Sequence, residues 1–475
     1  MLLGCEQDSE NDQLILQLTV NLLSRLYPAL GIVYLGDSIK CQGIRDELIL
    51  SSKCINPEIE ILDETTVFSI AICIGATGIG TLKNIYVTAD SWNLEIRINQ
   101  PIEILIDKSN FNPFSASAVA CFAVAEVFSS VFDDLLFKTE KQSQGFLLSL
   151  LDYSNKPVSK ESIPSIHFND LSLVGLGAIG NAVIWCIEKL PEITGNIILI
   201  DHEQIDLSNL QRYVLAQHDN IGDSKVGLAK EYLNRDGLNI QDFSVNFGDY
   251  VANYRPDCNF DVIGIAVDNA VDRIAAQTVL PKRILNAWTG DLGALGISRH
   301  YFDSAQACLA CLYLSTKSKL SHTEEISKVV GFDPRETADM VVNRVPLTLD
   351  LIQRISSNKG YPIDLLEQWE GKTLEDFYLE AICGGILLKS GVGETIEEEA
   401  LVPLVHQSVL AGVILACEIV KQELNLVQED LPVEIRMNVL TNLPEYICTR
   451  RGKTTKPQCI CLDSDYLEVF HEKYH

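Results

Sequence analysis

Short apolar runs separated by polar breaks fill the first 150 residues. Residues 31–35 (GIVYL), 58–62 (EIEIL), 67–75 (VFSIAICIG), 84–89 (NIYVTA) and 102–106 (IEILI) have the length and β-branched content of strands. Residues 112–132, NPFSASAVACFAVAEVFSSVF, are small and apolar on nearly every face, which predicts a helix buried between layers. The uncharged run 65–82 approaches a membrane span in length. Its second half is broken by Gly75, Gly78 and Gly80, and Val and Ile fill the first, so it reads as a buried strand and a glycine turn. A polar stretch with Pro and Ser, residues 155–165, closes this part.

The pattern then changes to strand and helix in alternation. LSLVGL (171–176) reads as a strand and AIGNAVIWCIEKL (178–190) as a helix. NIILID (196–201) is a strand, SKVGLAKEYLNRD (224–236) a helix, and FDVIGIAV (260–267) and RILNAW (283–288) further strands. This rhythm predicts an α/β fold with a doubly wound, mainly parallel sheet. From about 315 to 398 the chain turns polar and helical, as an insertion would. The fold resumes with a long apolar helix at 403–424 and a strand at 433–440. Two domains are expected, 1–160 and 166–475, the second carrying the insertion. No sequence repeat is visible, although two α/β halves leave room for a diverged structural one.

The 475 residues suffice for two or three cores, and 47% hydrophobic with 21% charged residues is an ordinary globular balance. The formal net charge of -28 repels a nucleic-acid backbone, so no nucleic-acid partner is expected. No membrane partner is expected either. The N-terminus MLLGCEQDSENDQ lacks the basic segment and apolar core of a signal peptide. A cytoplasmic, reducing location is therefore expected, with the 14 cysteines free of disulfides.

Candidate chemistry is concentrated at 173–273. Gly175, Gly177 and Gly180 stand in GxGxxG spacing between an apolar strand and a helix. Such glycines allow a tight turn and close backbone approach, and the helix N-terminus offers free N–H groups to phosphate. Asp201 ends the next strand, where an acid can accept both ribose hydroxyls. Alone, these features fit a nicotinamide-dependent oxidoreductase. The residues after them do not: Asn209 and Arg212 in SNLQR, Lys225 at a helix start, then Asp268, Asn269 and Arg273 after a strand. Cations neutralise a triphosphate, and an aspartate at a strand end holds Mg²⁺ through oxygen.

In this order GxGxxG, LIDHEQIDLSNLQR (199–212), GDSK (222–225) and AVDNAVDR (266–273) resemble the ThiF/MoeB adenylating enzymes and the ubiquitin-activating enzymes built on the same Rossmann-like domain. The resemblance is close over about 172–313 and returns near 401–421. It implies that Asp201 binds the ATP ribose, that Asn209, Arg212 and Lys225 grip the phosphates, and that Asp268 carries Mg²⁺. The implied reaction is attack of a ubiquitin-like protein's C-terminal glycine carboxylate on the α-phosphate of ATP. Such a step needs positioning and charge neutralisation rather than a general-base histidine. The first part more loosely resembles the degenerate, inactive adenylation-like domain that precedes the active one in some bacterial relatives. Such a domain donates an arginine to the ATP site, with Arg25 in NLLSRLYP (21–28) the candidate and Arg45 a poorer one. Relatives of this build occur in bacterial antiphage defence operons. The resemblance leaves open a monomer with an internal pseudo-dimer or a homodimer.

Two groups of cysteines enter by the same resemblance. Cys308 and Cys311 in ACLACLY, with Cys459 and Cys461 in QCICL, correspond to the two pairs that bind a structural Zn²⁺. The second pair is CxC where the family has CxxC. Cys383 in AICGGILLKSG lies before the long helix, where relatives that pass the activated protein onward place a thioester-forming cysteine. With no conjugating module evident in the chain, a separate conjugating enzyme is the expected acceptor. The alternatives are adenylation of a sulfur-carrier protein or peptide without a thioester, and the nicotinamide oxidoreductase. Cys186 and Cys417 sit in apolar helix patterns and are expected in the core.

Overall fold

The computed structural model describes residues 2–5, 9–34, 39–63, 66–75, 81–102, 110–132, 145–158, 162–290, 293–314, 322–378, 404–426, 433–441, 443, 447–454 and 459–474. Residues 1–313 together with 403–475 form one compact unit, and residues 314–402 form a second.

The large unit holds two sheets. The first is built from β1 (Leu2–Cys5), β2 (Ala29–Tyr34), β3 (Glu60–Leu62), β4 (Ile70–Ile74), β5 (Lys83–Asp90), β6 (Asn93–Ile98) and β7 (Gly145–Ser149), in the order β3-β2-β1-β4-β5-β6-β7. Strands β1 to β5 run parallel, whereas β6 and β7 pair antiparallel at one end. The run 65–82 does contain a central strand, β4. Gly78, Gly80 and most of the strand expected at 102–106 lie outside the described residues.

The second sheet contains β8 (Ile166–Val174), β9 (Ile193–Ile200), β10 (Leu238–Phe243), β11 (Val262–Ile265), β12 (Arg283–Thr289), β13 (Ala294–His300), β14 (Glu434–Asn438) and β15 (Cys448–Thr449). Its order is β10-β9-β8-β11-β12-β13-β14-β15. Matching the strands in sequence order, β1 with β8 through β7 with β14, reproduces the first sheet with one strand added. The change from parallel to antiparallel also falls at the same place.

The helices repeat as well. Pro113–Val131 precedes β7, and Val405–Glu423 precedes β14; each has 19 residues. Asn112 starts the former by accepting from the N–H groups of Phe114 at 2.9 Å and Ser115 at 3.3 Å, with Pro113 preset for the first turn. Both helices are apolar almost all round because both are buried almost all round, against each other and against their own sheets. Pro113–Val131 is long and apolar enough to cross a membrane, but 78% of its most apolar window is buried in the fold. The polar stretch 155–165 therefore separates two sheets but not two cores: Leu16, Val119, Ile184 and Val413 belong to one continuous apolar cluster. Cys186 and Cys417 lie in it, fully buried.

Among the described residues the small unit is helical, with Leu349–Lys359 the longest helix, and has its own core around Ile326, Ile355, Trp369 and Phe377. Trp369 meets Phe377 edge to face, with ring centroids 5.3 Å apart. Cys383 lies outside the described residues.

Candidate active site

Strand order in the second sheet reverses at β8, with β9 on one side and β11 on the other. In an open parallel sheet the crevice beyond the strand ends at such a point is where ligands bind. Gly175 follows β8 with φ of 88°, and a Cβ there would stand 2.8 Å from the Ala266 carbonyl oxygen. A Cβ on Gly180 would stand 2.2 Å from the Gly175 carbonyl oxygen. Both positions demand glycine, so the spacing seen in the sequence is a packing requirement of the turn itself. Gly177 is the N-cap of the helix Ala178–Glu188 and has no side-chain cap, which leaves that helix N-terminus for a ligand.

Asp201 follows β9 and fastens this turn. Its carboxylate accepts from the Leu176 N–H at 2.6 Å and from the Glu203 N–H at 2.9 Å. Two oxygens offer about four acceptor positions, so ribose hydroxyls can still be taken. Lys225 begins the helix Lys225–Leu233, which Ser224 caps by accepting from the Gly227 N–H at 3.1 Å. The Lys225 side chain is only 4% exposed and donates to Glu203. Its ammonium lies 5.2 Å from the centroid of the Tyr213 ring. Burial pulls the ammonium down, but Tyr213, Asp201 and Glu203 outweigh it and hold Lys225 above its ordinary range. For Glu203, burial pushes up while Lys225, His202 and Arg212 pull down, and the carboxylate ends below its usual range. Arg212 thus belongs to the same charge cluster as Lys225.

Asp268 and Asn269 follow β11 and are exposed at the same edge. Asn269 caps the helix Ala270–Thr278, its side-chain oxygen accepting from the Asp272 N–H at 2.8 Å. Asn209 is likewise engaged locally. Its side-chain oxygen takes the Asp206 N–H at 2.9 Å, closing a capping box on the turn Leu207–Asn209. Arg273, grouped with the phosphate cations by its position in the sequence, points inward. It donates to the carbonyl of Val267, to that of Ala287 at 3.3 Å, and to the Asn286 side chain at 3.0 Å. It braces the turn before Asp268 instead of facing the crevice.

The two arginines sought in the first part behave differently. Arg45 stays at home, bonded to the Ile32 carbonyl at 3.0 Å. Arg25, at the end of the helix Glu10–Leu26, does reach the second part. Its guanidinium is buried against the backbone carbonyls of Leu210, Val214 and Ala216, in and just after SNLQR, instead of standing free for phosphate. Burial pushes it down to about 9, against a smaller opposing pull from Tyr232. Glu203, Tyr213 and Asn181 are site residues that the motif reading did not single out. Asn181 joins the glycine turn to the same loop, donating to the Leu176 carbonyl at 2.8 Å and accepting from the Leu215 N–H at 3.3 Å.

The corresponding edge of the first sheet is built otherwise. Between β1 and the helix Glu10–Leu26 the chain reads Glu6-Gln7-Asp8-Ser9, without glycine. Ser9 caps that helix by accepting from the Asp12 N–H at 3.1 Å, and Glu10 and Asp12 occupy its first turn. Acids there complement the helix dipole and repel phosphate.

Cys308, Cys311, Cys459 and Cys461 converge, their sulfurs all within 4.8 Å of one another. Individual pairs stand 3.3 to 3.7 Å apart. Four thiolates at about 2.3 Å from a tetrahedral zinc define edges of about 3.8 Å, so the set fits. The CxC spacing suffices because Cys459 is the N-cap of a tight turn, Ile460–Leu462, that brings Cys461 back to the same side. Cys311 accepts from Cys308 and Cys461 and from the Thr454 N–H, which holds its thiol well below the usual range.

Comparisons with known proteins bear on this arrangement. A protein of Sinorhizobium fredii (strain NBRC 101917 / NGR234), y4jF, is 34% identical over 469 residues, covering 97% of this chain and 88% of its own length. Crystal structures of E. coli MccB are 15% identical. One has a TM-score of 0.38 over 80% of this chain and 94% of that chain. The structure with ATP has a TM-score of 0.35 over 62% of this chain and 66% of that chain. Residues 6–133 match the profile of prokaryotic E2 family C, which the first part's motifs did not suggest. Residues 152–436, more than half of the chain, match the profile of the ThiF family, and the chain belongs to that family.

Proposed function

We propose that the chain activates the C-terminal carboxylate of a ubiquitin-like protein by ATP-dependent adenylation. The observation that carries this reading is the site around the Gly175–Gly180 turn where the strand order reverses: the Asp201 carboxylate holds the Leu176 N–H, Lys225 interacts with Asp201, and the β11 end that leads to Asp268 packs against Gly175. Membership of the ThiF family supports adenylation of a carboxylate, and the E2-like match of residues 6–133 supports a peptide or protein as its owner. In the reaction a carboxylate oxygen bonds to the α-phosphorus. The bond from that phosphorus to the bridging oxygen breaks, and pyrophosphate leaves with the electron pair. Arg212 and Lys225 offset the triphosphate charge, Asp201 takes the ribose, and Asp268 would hold the magnesium that accompanies ATP. The first sheet, with the same topology but an acidic helix start, is read as an inactive copy that supports the second.

In the second step the Cys383 thiolate attacks the acyl carbon, AMP departs, and the thioester passes to a conjugating enzyme. ATP–pyrophosphate exchange driven by a ubiquitin-like protein ending in glycine tests the first step. Cys383→Ala should retain that exchange and lose a thiol-sensitive adduct. An adduct that persists in this variant discards Cys383. Wild-type turnover without any adduct favours a sulfur-carrier protein or peptide substrate instead.

Zinc at the four cysteines would brace the β13–Tyr313 segment against the C-terminal tail. The protein should then contain about one zinc per chain by elemental analysis, and Cys459→Ser should lose it and lower the melting midpoint by several degrees. A metal-free protein with an unchanged midpoint in the variant would sink this assignment.

A further inference from the structure

We propose that Arg25 is a positioning residue: it clamps the loop that carries Arg212, so that the first half of the chain sets the phosphate grip of the second. This rests on reading the crevice as a triphosphate site. Residues 210–216 form no regular helix or strand, and a buried irregular backbone must find partners for its polar groups. Val214, Leu215 and Ala216 are buried. Side chains supply the partners. Arg25 donates through one terminal nitrogen to the Leu210 carbonyl and through the other to Val214 at 3.2 Å and Ala216 at 2.9 Å. Asn21, one helical turn earlier, donates to the Val214 carbonyl at 3.0 Å and receives the Arg25 Nε–H at 2.9 Å. Tyr232 takes the remaining carbonyl, Leu215, at 3.1 Å.

A guanidinium suits this task because its planar fork reaches several acceptors at fixed angles, which an ammonium cannot. The geometry also explains why this arginine carries no acidic partner among the described residues. Several carbonyl oxygens converge on it and provide the negative ends of their dipoles. Arg212 and Tyr213 lie between the clamped carbonyls of Leu210 and Val214, and Tyr213 backs the Lys225 ammonium. Releasing the clamp therefore loosens two contributors to phosphate binding without touching the phosphate.

Hydrogen exchange and ATP binding on the full chain test this. In Arg25→Lys, the amides of residues 210–216 should exchange about tenfold faster in the absence of nucleotide, the scale of one lost net hydrogen bond or more. Amides of β8 and β11 should be unchanged. Magnesium-ATP affinity should fall about tenfold in Arg25→Lys, and the same change made in an Arg212→Ala background should cause no further loss. Additive losses would mean that Arg25 acts on the phosphate independently and would overturn the clamp, as would unchanged exchange at 210–216. If Arg25→Lys does not fold, Asn21→Ala, which removes one of the loop's bonds, carries the exchange arm. An unaltered chain that fails to bind ATP would refute the triphosphate reading, and the nucleotide-free exchange would still decide the clamp.

Discussion

Lys225→Ala should lower substrate-dependent ATP–pyrophosphate exchange by about a thousandfold, the scale seen when a preorganised charge donor is removed from a water-poor site. The argument rests on the unequal burial of the pair it forms. The lysine is 4% exposed and its partner Glu203 is 57% exposed. Removing the lysine leaves an acid that can turn into solvent, so the fold loses little. What is lost is the buried ammonium between Asp201, Tyr213 and Glu203. The triphosphate would then meet Asp201 and Glu203 with one fewer cation beside Arg212 to offset them. Exchange rate and thermal midpoint measured side by side check this. A rate within tenfold of the unaltered enzyme would show that Lys225 is a structural ion-pair residue.

The second large effect concerns stability. Glu418→Ala should destabilise the protein by about 3–5 kcal/mol, the cost of leaving buried charge uncompensated. Glu418 is fully buried in the helix Val405–Glu423. It accepts from Arg299 at 2.9 Å, from Lys421 at 2.6 Å and from the Tyr153 hydroxyl. Lys421 also donates to the Leu150 carbonyl at 3.0 Å. The network thus ties the chain just after β7 to the core helix and to β13. Burial pushes the Glu418 carboxyl up, but Arg299 and Lys421 overcome it and hold the group below its ordinary range. A carboxylate held low contributes stability at neutral pH. That contribution is lost as pH falls below the ordinary carboxylate range toward the depressed folded value. The denaturant midpoint of the variant should therefore drop at pH 7. Cleavage of residues 155–165 by a nonspecific protease should also accelerate. An unchanged midpoint would mean that water or a rearranged partner already compensates the two cations.

Much of the second sheet was legible because its parallel strands are continuous Val, Ile and Leu runs flanked by helices of clear period. β10 and β13 escaped notice: β10 is half polar at an edge, and β13 (Ala294–His300) mixes Gly, Ser, Arg and His that are buried through hydrogen bonds. His300 bonds the Ser298 hydroxyl and the Ala307 carbonyl, each at 2.8 Å. In the first part β1 was missed because four residues, Leu2–Cys5, are too few to show a period. The repeated topology was also invisible to sequence comparison within the chain, since strand order is a property of pairing and not of residue identity.

The site shows the same division. The placement of Gly175, Gly180, Asp201, Lys225 and Asp268 is legible from spacing because each lies beside a strand end or a helix start. Arg25 could not. Its partners are main-chain carbonyls 185 to 191 residues away, and carbonyls carry no sequence signal. Arg273 follows the phosphate cations in sequence, yet its side chain braces a turn, while Asn209 caps its own turn through the amide oxygen and not through the NH2 donors a phosphate would need. A short polar residue beside a turn serves its own backbone first.

The pairing of helix Pro113–Val131 with helix Val405–Glu423 is made within a single polypeptide. Two separate subunits joined by such a surface would come apart on dilution. Tethered halves face each other at a fixed effective concentration, whatever the amount of protein in the cell. Each half can then diverge in sequence away from that surface as long as the packing between the two helices survives.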